Sequence, residues 1–291
     1  MSKNLVLESD VSIVIPAKNE AVGLAGMLEK LMSAGRWKEV IVVDDGSTDE
    51  TAAVAEAAGC VVKRHPYSKG NGAAIKNGAR SATGDVIVFM DGDGQHNPAD
   101  IQRLLTRLNE GYDLVVGARQ KGSQASVGRG AANVFYNRLA TYMTGHKVED
   151  LTSGFRAVRA DKFREFLYLL PNGFSYPTTS TMAFFRAGYS VAYEPIHAAQ
   201  RVGKSHIKPL KDGVRFLLII FKIGTLYSPL KLFAPIAALA FLLASVWYGY
   251  TLSAFGRFTN MSALLYTGSA MVFLMGLISE QITALMYREG R

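Results

Sequence analysis

The sequence has a single cysteine, Cys60, among 291 residues. That excludes an internal disulfide and suits a reducing compartment. No G-x-G-x-x-G fingerprint follows the first apolar strand, which counts against a dinucleotide dehydrogenase. No arginine- and aromatic-rich recognition module is present, so no nucleic-acid partner is expected. Residues 1–10 are polar and 11–15 are too few for a signal core, so the N-terminal part is expected to stay cytosolic. Charge is missing from two long stretches, 232–256 and 258–279. Each is long enough for a membrane-spanning helix of ~20 residues. Arg257 alone separates them, which predicts a hairpin with a short turn.

What is present is 49% hydrophobic residues and a net charge of +8. Lys204, Lys208, Lys211, Arg215, Lys222 and Lys231 precede the first span, and Arg288 and Arg291 follow the second. This bias predicts an anionic membrane surface as partner and both ends of the hairpin on the cytoplasmic side. Residues 209–224 read as an interfacial amphipathic helix, with Lys211, Arg215 and Lys222 on one face. Glu280, at the inner end of the second span, is expected to snorkel, to pair the helices or to face the preceding domain.

Before these stretches the chain alternates strand and helix. Short Val/Ile-rich runs end in Pro16, in Asp44-Asp45-Gly46, and in Asp91-Gly92-Asp93-Gly94-Gln95-His96. Such alternation predicts a mostly parallel wound α/β sheet, with the acids at strand carboxyl ends, where open sheets bind ligands. Ser47-x-x-Glu50 reads as a capping box, and Asn97-Pro98 as an N-cap with proline in the first helical position. Asp91 and Asp93 lie one residue apart on a glycine turn. A hard divalent cation sharing its remaining positions with phosphate oxygens relieves their repulsion; the plain alternative is a solvated acidic turn. Asp44 and Asp45 suit a ribose or base, or simply cap a helix. Lys69-Gly70-Asn71-Gly72 brings a cation and N–H groups toward an anion, or is an ordinary turn.

Pro16-Ala17-Lys18-Asn19-Glu20, Asp44-Asp45-Gly46-Ser47-Thr48-Asp49, the Asp91 to His96 turn and Ser153-Gly154-Phe155-Arg156 together resemble the ordered motifs of family 2 glycosyltransferases. The nearest subgroup is the dolichyl-phosphate mannose synthase-like, polyprenyl-phosphate enzymes. The resemblance covers about residues 11–205. It implies a GT-A fold, a nucleoside-diphosphate sugar donor, a polyprenyl phosphate acceptor, and Mg²⁺ or Mn²⁺ held by Asp91, Asp93 and Gln95. It places Pro16, Ala17, Glu20, Asp44, Asp45 and Lys69 around the nucleotide. Lys18 departs from the tyrosine usual in relatives. Asp150 matches an acid beside the donor sugar and acceptor. Arg201 and Lys204, in Arg201-Val202-Gly203-Lys204-Ser205, resemble a basic loop over the diphosphate. Arg119, Arg129 and Asn133 fall where relatives receive the acceptor phosphate; the alternative is that these arginines are solvated or pair with acids such as Asp113 and Glu149.

The expected division is a catalytic domain over 1–208, an interfacial helix over 209–228 and a transmembrane hairpin over 229–291. The expected activity is inverting transfer of a glycosyl group to a polyprenyl phosphate on the cytoplasmic leaflet. That leaflet belongs to the plasma membrane in a prokaryote and to the endoplasmic reticulum in a eukaryote. A homo-oligomer is allowed. A processive polysaccharide synthase is the rival in the same superfamily, but neither Trp37 nor Trp247 sits in a Gln-x-x-Arg-Trp motif. A silent nucleotide-sugar-binding scaffold is the rival from another class.

Overall fold

The computed structural model describes residues 5–120, 127–173, 175–197, 224–225 and 227–286, with side chains 127–133 outside that description. The chain forms two compact units, 1–207 and 208–291. The interfacial helix expected over 209–224 lies, apart from its last residue, outside the described residues.

The first unit is built on a seven-stranded sheet. Its strands are β1 (Val11–Ala17), β2 (Glu39–Asp44), β3 (Val61–Arg64), β4 (Val86–Phe89), β5 (Leu114–Arg119), β6 (Arg156–Arg159) and β7 (Val191–Ile196), in the order β3-β2-β1-β4-β6-β5-β7. The helices of this unit are α1 (Ala21–Ala34), α2 (Thr51–Ala57), α3 (Asn71–Ser81), α4 (Asp100–Asn109), α5 (Val127–Thr144), α6 (Ala160–Arg164) and α7 (Tyr176–Arg186). The mostly parallel wound sheet expected from the β-α alternation is present, in the GT-A-like form that the resemblance implied. The central strands are Val/Ile runs buried on both faces, as crossover helices on each side require. β3 is an edge, and its exposed Lys63 and Arg64 blunt it against further pairing.

One strand breaks the parallel pattern. β6 runs antiparallel to both β4 and β5, with Phe89 opposite Arg156 and Val116 opposite Arg156. Its amino end therefore lies at the rim where its neighbours have their carboxyl ends. The loop 150–155, which leads into β6, meets the loops that leave β4 and β5. Gly117 N–H donates to Phe155 O at 2.9 Å, closing that junction.

Two helix starts differ from the sequence expectation. α2 begins at Thr51, and Ser47 and Glu50 form no capping box. Asp49 Oδ1 accepts Thr51 N–H at 3.0 Å, while Ser47 Oγ accepts Asn19 N–H across the loops. The shorter carboxylate wins because it needs to span only two residues. α4 begins at Asp100, two residues after Pro98, because 97–100 form a turn, with Asp100 N–H donating to Asn97 O at 3.0 Å.

In the second unit, α8 (Pro229–Phe255) and α9 (Asn260–Met286) have mean hydropathies of 2.0 and 1.8 over their most apolar windows, long and apolar enough to cross a membrane. The turn between them has a physical stop and start. Gly256 takes the left-handed C-cap conformation at φ 64°, and Thr259 Oγ1 accepts Ser262 N–H. The helices meet along small residues seven apart: Ala237, Ala244 and Thr251 on α8, and Ser262, Ser269, Gly276 and Thr283 on α9. Such spacing lets two backbones approach closely. Ser269 Oγ donates across to Ala237 O at 2.8 Å. Glu280 is a helix-pairing residue: its Oε2 accepts from Ser228 Oγ and Leu230 N–H, at the amino end of α8. A carboxylate at a helix amino end satisfies unmet donors and the dipole together.

Candidate active site

The carboxyl ends of β1, β2 and β4 and the amino end of α3 enclose a cavity of about 420 Å³. Pro16, Ala17, Lys18, Glu20, Asp45, Gly70, Asp91 and Asp93 line it. Its walls are tied by the chain's own polar groups. Asn19 sits in the left-handed region at φ 54°, which asparagine tolerates. Asn19 Oδ1 accepts Thr48 N–H at 2.8 Å, and Ala21 N–H donates to Asp49 Oδ2 at 3.2 Å. Asp44, buried at the end of β2, accepts Ser47 N–H at 2.9 Å. The loops after β1 and β2 thus form one wall.

Asp45 N–H donates to Ala17 O, and its carboxylate turns toward the loop after β3. Oδ1 accepts from His65 Nδ1 at 2.7 Å and Lys69 N–H at 2.8 Å, and Oδ2 from Ser68 Oγ at 2.7 Å and Gly70 N–H at 2.8 Å. Burial alone would raise its pKa, but these bonds, led by His65, bring it down to about 2. The Lys69 ammonium lies 5.7 Å from the Tyr67 ring centroid.

Asp91 and Asp93 follow β4 on a tight turn, with Gly94 at φ 72° and Gln95 N–H donating to Asp93 Oδ1 at 3.2 Å. The Asp91 side chain is partly exposed, and His96 Nε2 lies 3.8 Å from its Oδ2. His96 is buried and stacked on Phe155, with ring centroids 4.9 Å apart. Gly154 leans on Asp91 from the β6 side. A Cβ there would lie 2.7 Å from Asp91 Oδ2, so a side chain at this position would have to push the carboxylate aside. Among the described residues no group of three or more His, Cys, Asp and Glu forms a cage. The polar side chains of Asp91, Asp93 and Gln95 on this turn offer oxygen donors. That fits a hard cation such as Mg²⁺ or Mn²⁺ completed by water and phosphate, and not a closed thiolate or imidazole site.

Arg119, at the end of β5, meets Asp150 through two parallel bonds, Nε to Oδ2 at 2.7 Å and Nη2 to Oδ1 at 2.9 Å, and its Nη2 also donates to Thr152 Oγ1 at 2.6 Å. Burial pushes the Asp150 pKa up, and Arg119 more than offsets it, so the carboxyl stays below its usual range. Arg119 thus pairs with an acid, as the alternative reading expected, but the acid is Asp150: Asp113 pairs with Lys162 at 2.6 Å, and Glu149 with Lys147 at 2.9 Å. Asp150 Oδ1 also accepts Thr152 and Ser153 N–H, which shapes the loop into β6. Asn137 on α5 grips the same loop, accepting Leu151 N–H at 3.0 Å and donating to Glu149 O. Arg129 and Asn133 fall in the first half of α5, with side chains outside the described residues. Arg201 and Lys204 lie outside the described residues altogether.

The floor of this region is Arg156, fully buried and without a carboxylate partner among the described residues. Its guanidinium donates to Ser153 O, to Pro177 O at 3.0 Å and to Ser180 Oγ at 2.8 Å, and lies 5.5 Å from the Tyr176 ring centroid. Tyr176 O–H donates to Gly154 O at 2.9 Å. The carbonyls of 153–155 are thereby all occupied, and the loop is rigid where it touches Asp91.

Sequence reasoning missed His65, Asn77, Asn137 and Tyr176. His65 had a signal, since it follows β3 on the rim that carries the acids. The other three act from within helices and carry none.

The chain matches Glycosyl transferase family 2 over residues 12–167 and the GtrB C-terminal hairpin over 228–285. It is 30% identical to the undecaprenyl-phosphate 4-deoxy-4-formamido-L-arabinose transferase of Proteus mirabilis, over 94% of this chain and 88% of the relative. It is 28% identical to the glycosyltransferase AglJ of Haloferax volcanii, over 78% and 76%. Among solved structures it is similar in fold to glucosyl-3-phosphoglycerate synthase from Mycobacterium tuberculosis, solved with Mn²⁺, UDP and phosphoglyceric acid. The TM-score is 0.59 at 23% identity, over 74% of this chain and 77% of that one.

Proposed function

The chain belongs to glycosyl transferase family 2, and on that premise we propose that it moves a glycosyl group from a nucleoside-diphosphate sugar to a polyprenyl phosphate at a membrane surface. The observation that carries this reading is the placement of Asp91 and Asp93. They sit between an open cleft on one side and the Arg119–Asp150 pair on the other, in a chain with an apolar hairpin. The names of the Proteus mirabilis relative and of the matched hairpin family point the same way.

In this reading the nucleotide lies in the cavity lined by Pro16, Ala17, Glu20 and the 68–70 wall, with Asp44 and Asp45 fixing those walls from behind. Asp91, Asp93 and the Gln95 amide hold Mg²⁺ or Mn²⁺, which, when bound, neutralises charge developing on the leaving diphosphate. Arg201 and Lys204 add charge to the same oxygens. Arg119 and Arg129 receive the acceptor phosphate with Asn133, and Asp150 keeps Arg119 in a fixed orientation. Asp150 and Thr152 take Nε and Nη2 of Arg119, so Arg119 offers the phosphate its Nη1 group. The acceptor phosphate attacks the anomeric carbon opposite the leaving group and inverts it. A phosphate monoester has its second pKa near ~6 and is largely dianionic at neutral pH, so no side chain must remove a proton. Catalysis is then positioning and electrostatics.

We place the catalytic unit at 1–208, the interfacial helix at 209–228 and the hairpin at 229–291, with both hairpin ends cytoplasmic. The test is transfer of radiolabel from a panel of nucleoside-diphosphate sugars to polyprenyl phosphate in proteoliposomes with Mn²⁺ or Mg²⁺. A labelled, mild-acid-sensitive lipid is expected for one donor. Hydrolysis without lipid product, or no turnover of any donor, overturns the reading.

A further inference from the structure

The Asp45 carboxylate borders the donor cavity, yet it offers nothing to a ligand. His65 Nδ1, Lys69 N–H, Ser68 Oγ and Gly70 N–H fill its four acceptor positions. Behind it the His65 ring is almost fully enclosed, and its second nitrogen, Nε2, lies 3.0 Å from Asn77 Nδ2 on α3. An ionised carboxylate only accepts, so Nδ1 carries the ring proton. The Asn77 amide donates to Nε2, which is therefore the bare nitrogen. The partner of the second ring nitrogen fixes the tautomer.

The loop that Asp45 holds has little room to adjust. A Cβ on Gly46 would lie 2.7 Å from the Tyr67 carbonyl carbon, and one on Gly70 2.6 Å from Asn172 O. Ala73 N–H donates to the same Asn172 O at 2.9 Å. Squeezed from both sides, the loop takes its direction from the one carboxylate that binds its amides. Lys69 and Gly70 follow where Asp45 points, and Asp45 points where the imidazole N–H holds it.

We propose that His65, locked by Asn77 as the Nδ1–H tautomer, is a positioning residue for donor binding, acting through Asp45 to set the 68–70 wall of the nucleotide cavity. The inference rests on the donor reading above. His65 touches no substrate; it supplies one donor that a serine or amide elsewhere in the network cannot replace.

The experiment uses the full chain in nanodiscs and compares the parent with His65→Asn and His65→Leu. Asparagine keeps an N–H near the Nδ1 position, and leucine keeps only the volume. Two measurements are made. The first is Kd for UDP and for GDP with Mn²⁺. The second, without nucleotide, is amide hydrogen exchange over residues 66–72. His65→Leu is expected to weaken the better nucleotide at least ~10-fold and to speed exchange over 66–72, with β1 and β4 unchanged. His65→Asn is expected to stay within ~3-fold of the parent in Kd and to match its exchange. An unchanged Kd and exchange in His65→Leu overturn the proposal. So does an equal loss in both variants accompanied by a general rise in exchange, which marks simple packing. If the parent binds neither nucleotide, the donor reading fails, and the exchange arm alone still decides whether His65 sets the wall.

Discussion

Arg119 and Asp150 face each other fork to fork, 2.7 and 2.9 Å apart, at the rim where β5 ends and the loop into β6 begins. Removing the acid leaves a partly buried guanidinium without its partner. Asp150→Asn is expected to cost about 1–3 kcal/mol of stability. It is also expected to lower transfer more than it weakens donor binding, because Arg119 loses its orientation and not its charge. Calorimetric melting together with donor titration checks this. Equal losses in donor Kd and transfer rate assign the pair to the donor side.

Arg119→Ala and Arg129→Ala are expected to reduce transfer at low acceptor concentration while donor Kd stays within about twofold. A surface arginine without such a role shifts stability by only ~0.5 kcal/mol and leaves kinetics alone. Initial rates against polyprenyl phosphate concentration, alongside donor titration, separate the two cases.

Asp93→Asn should cut transfer by roughly 100-fold, the scale of losing a main stabiliser of developing charge. Excess EDTA should do the same to the parent, with activity restored by added Mn²⁺ or Mg²⁺. Full activity in chelator removes Asp91, Asp93 and Gln95 from their proposed role.

Gly154→Ala tests the close approach of the β6 loop to Asp91. The new methyl would lie 2.7 Å from Asp91 Oδ2. Overpacking of this kind costs about 1–3 kcal/mol. The carboxylate is the softer partner, since Tyr176 and Arg156 hold the loop, so it is the group that moves. The expected result is a folded protein with weakened metal dependence: a higher Mn²⁺ concentration for half-maximal rate. An unaltered Mn²⁺ response shows that Asp91 keeps its place.

Acid stability draws on several lowered carboxyl groups, of which Asp45 and Asp113 fall furthest. Asp45 and Asp113 both fall from 3.8 to about 2 in the folded chain, because hydrogen bonds and, for Asp113, Lys162 outweigh burial. The unfolded chain binds more protons between those values, so stability rises with pH across that window. The contribution is complete above about 3.8 and is lost as pH falls through about 2. Melting temperature against pH is expected to drop steeply below pH 4, and Asp113→Asn to flatten that limb. An unchanged slope in the variant shows that Asp113 is not among the groups responsible.

The sheet and the hairpin were legible in the sequence, because both rest on local periodicity. Val/Ile runs before Pro16, Asp44 and Asp91 gave the strands, with ends off by up to two residues: β1 continues through Pro16 to Ala17 and β4 stops at Phe89; 232–256 and 258–279 announced α8 and α9. The acids of the rim were legible for the same reason. The Arg119–Asp150 bond was not, since 31 residues separate the pair and the reversal of β6 that joins them has no local signature. The cap at Ser47 misled because its hydroxyl bonds Asn19 across the loops, whereas Asn97 bonds Ala99 N–H locally and the helix simply begins after that turn.

The reversed strand also sets what evolution can exchange. The donor walls come from the loops after β1, β2 and β3, whereas Arg119, Asp150 and α5 all belong to the single excursion between β5 and β6. That excursion leaves and re-enters the sheet on adjacent strands, so its length can change without shifting the register of any other strand. On the acceptor reading proposed above, a chimaera that exchanges residues 120–152 between two such enzymes, leaving Gly154 in place against Asp91, is expected to carry one enzyme's acceptor preference on the other's donor half.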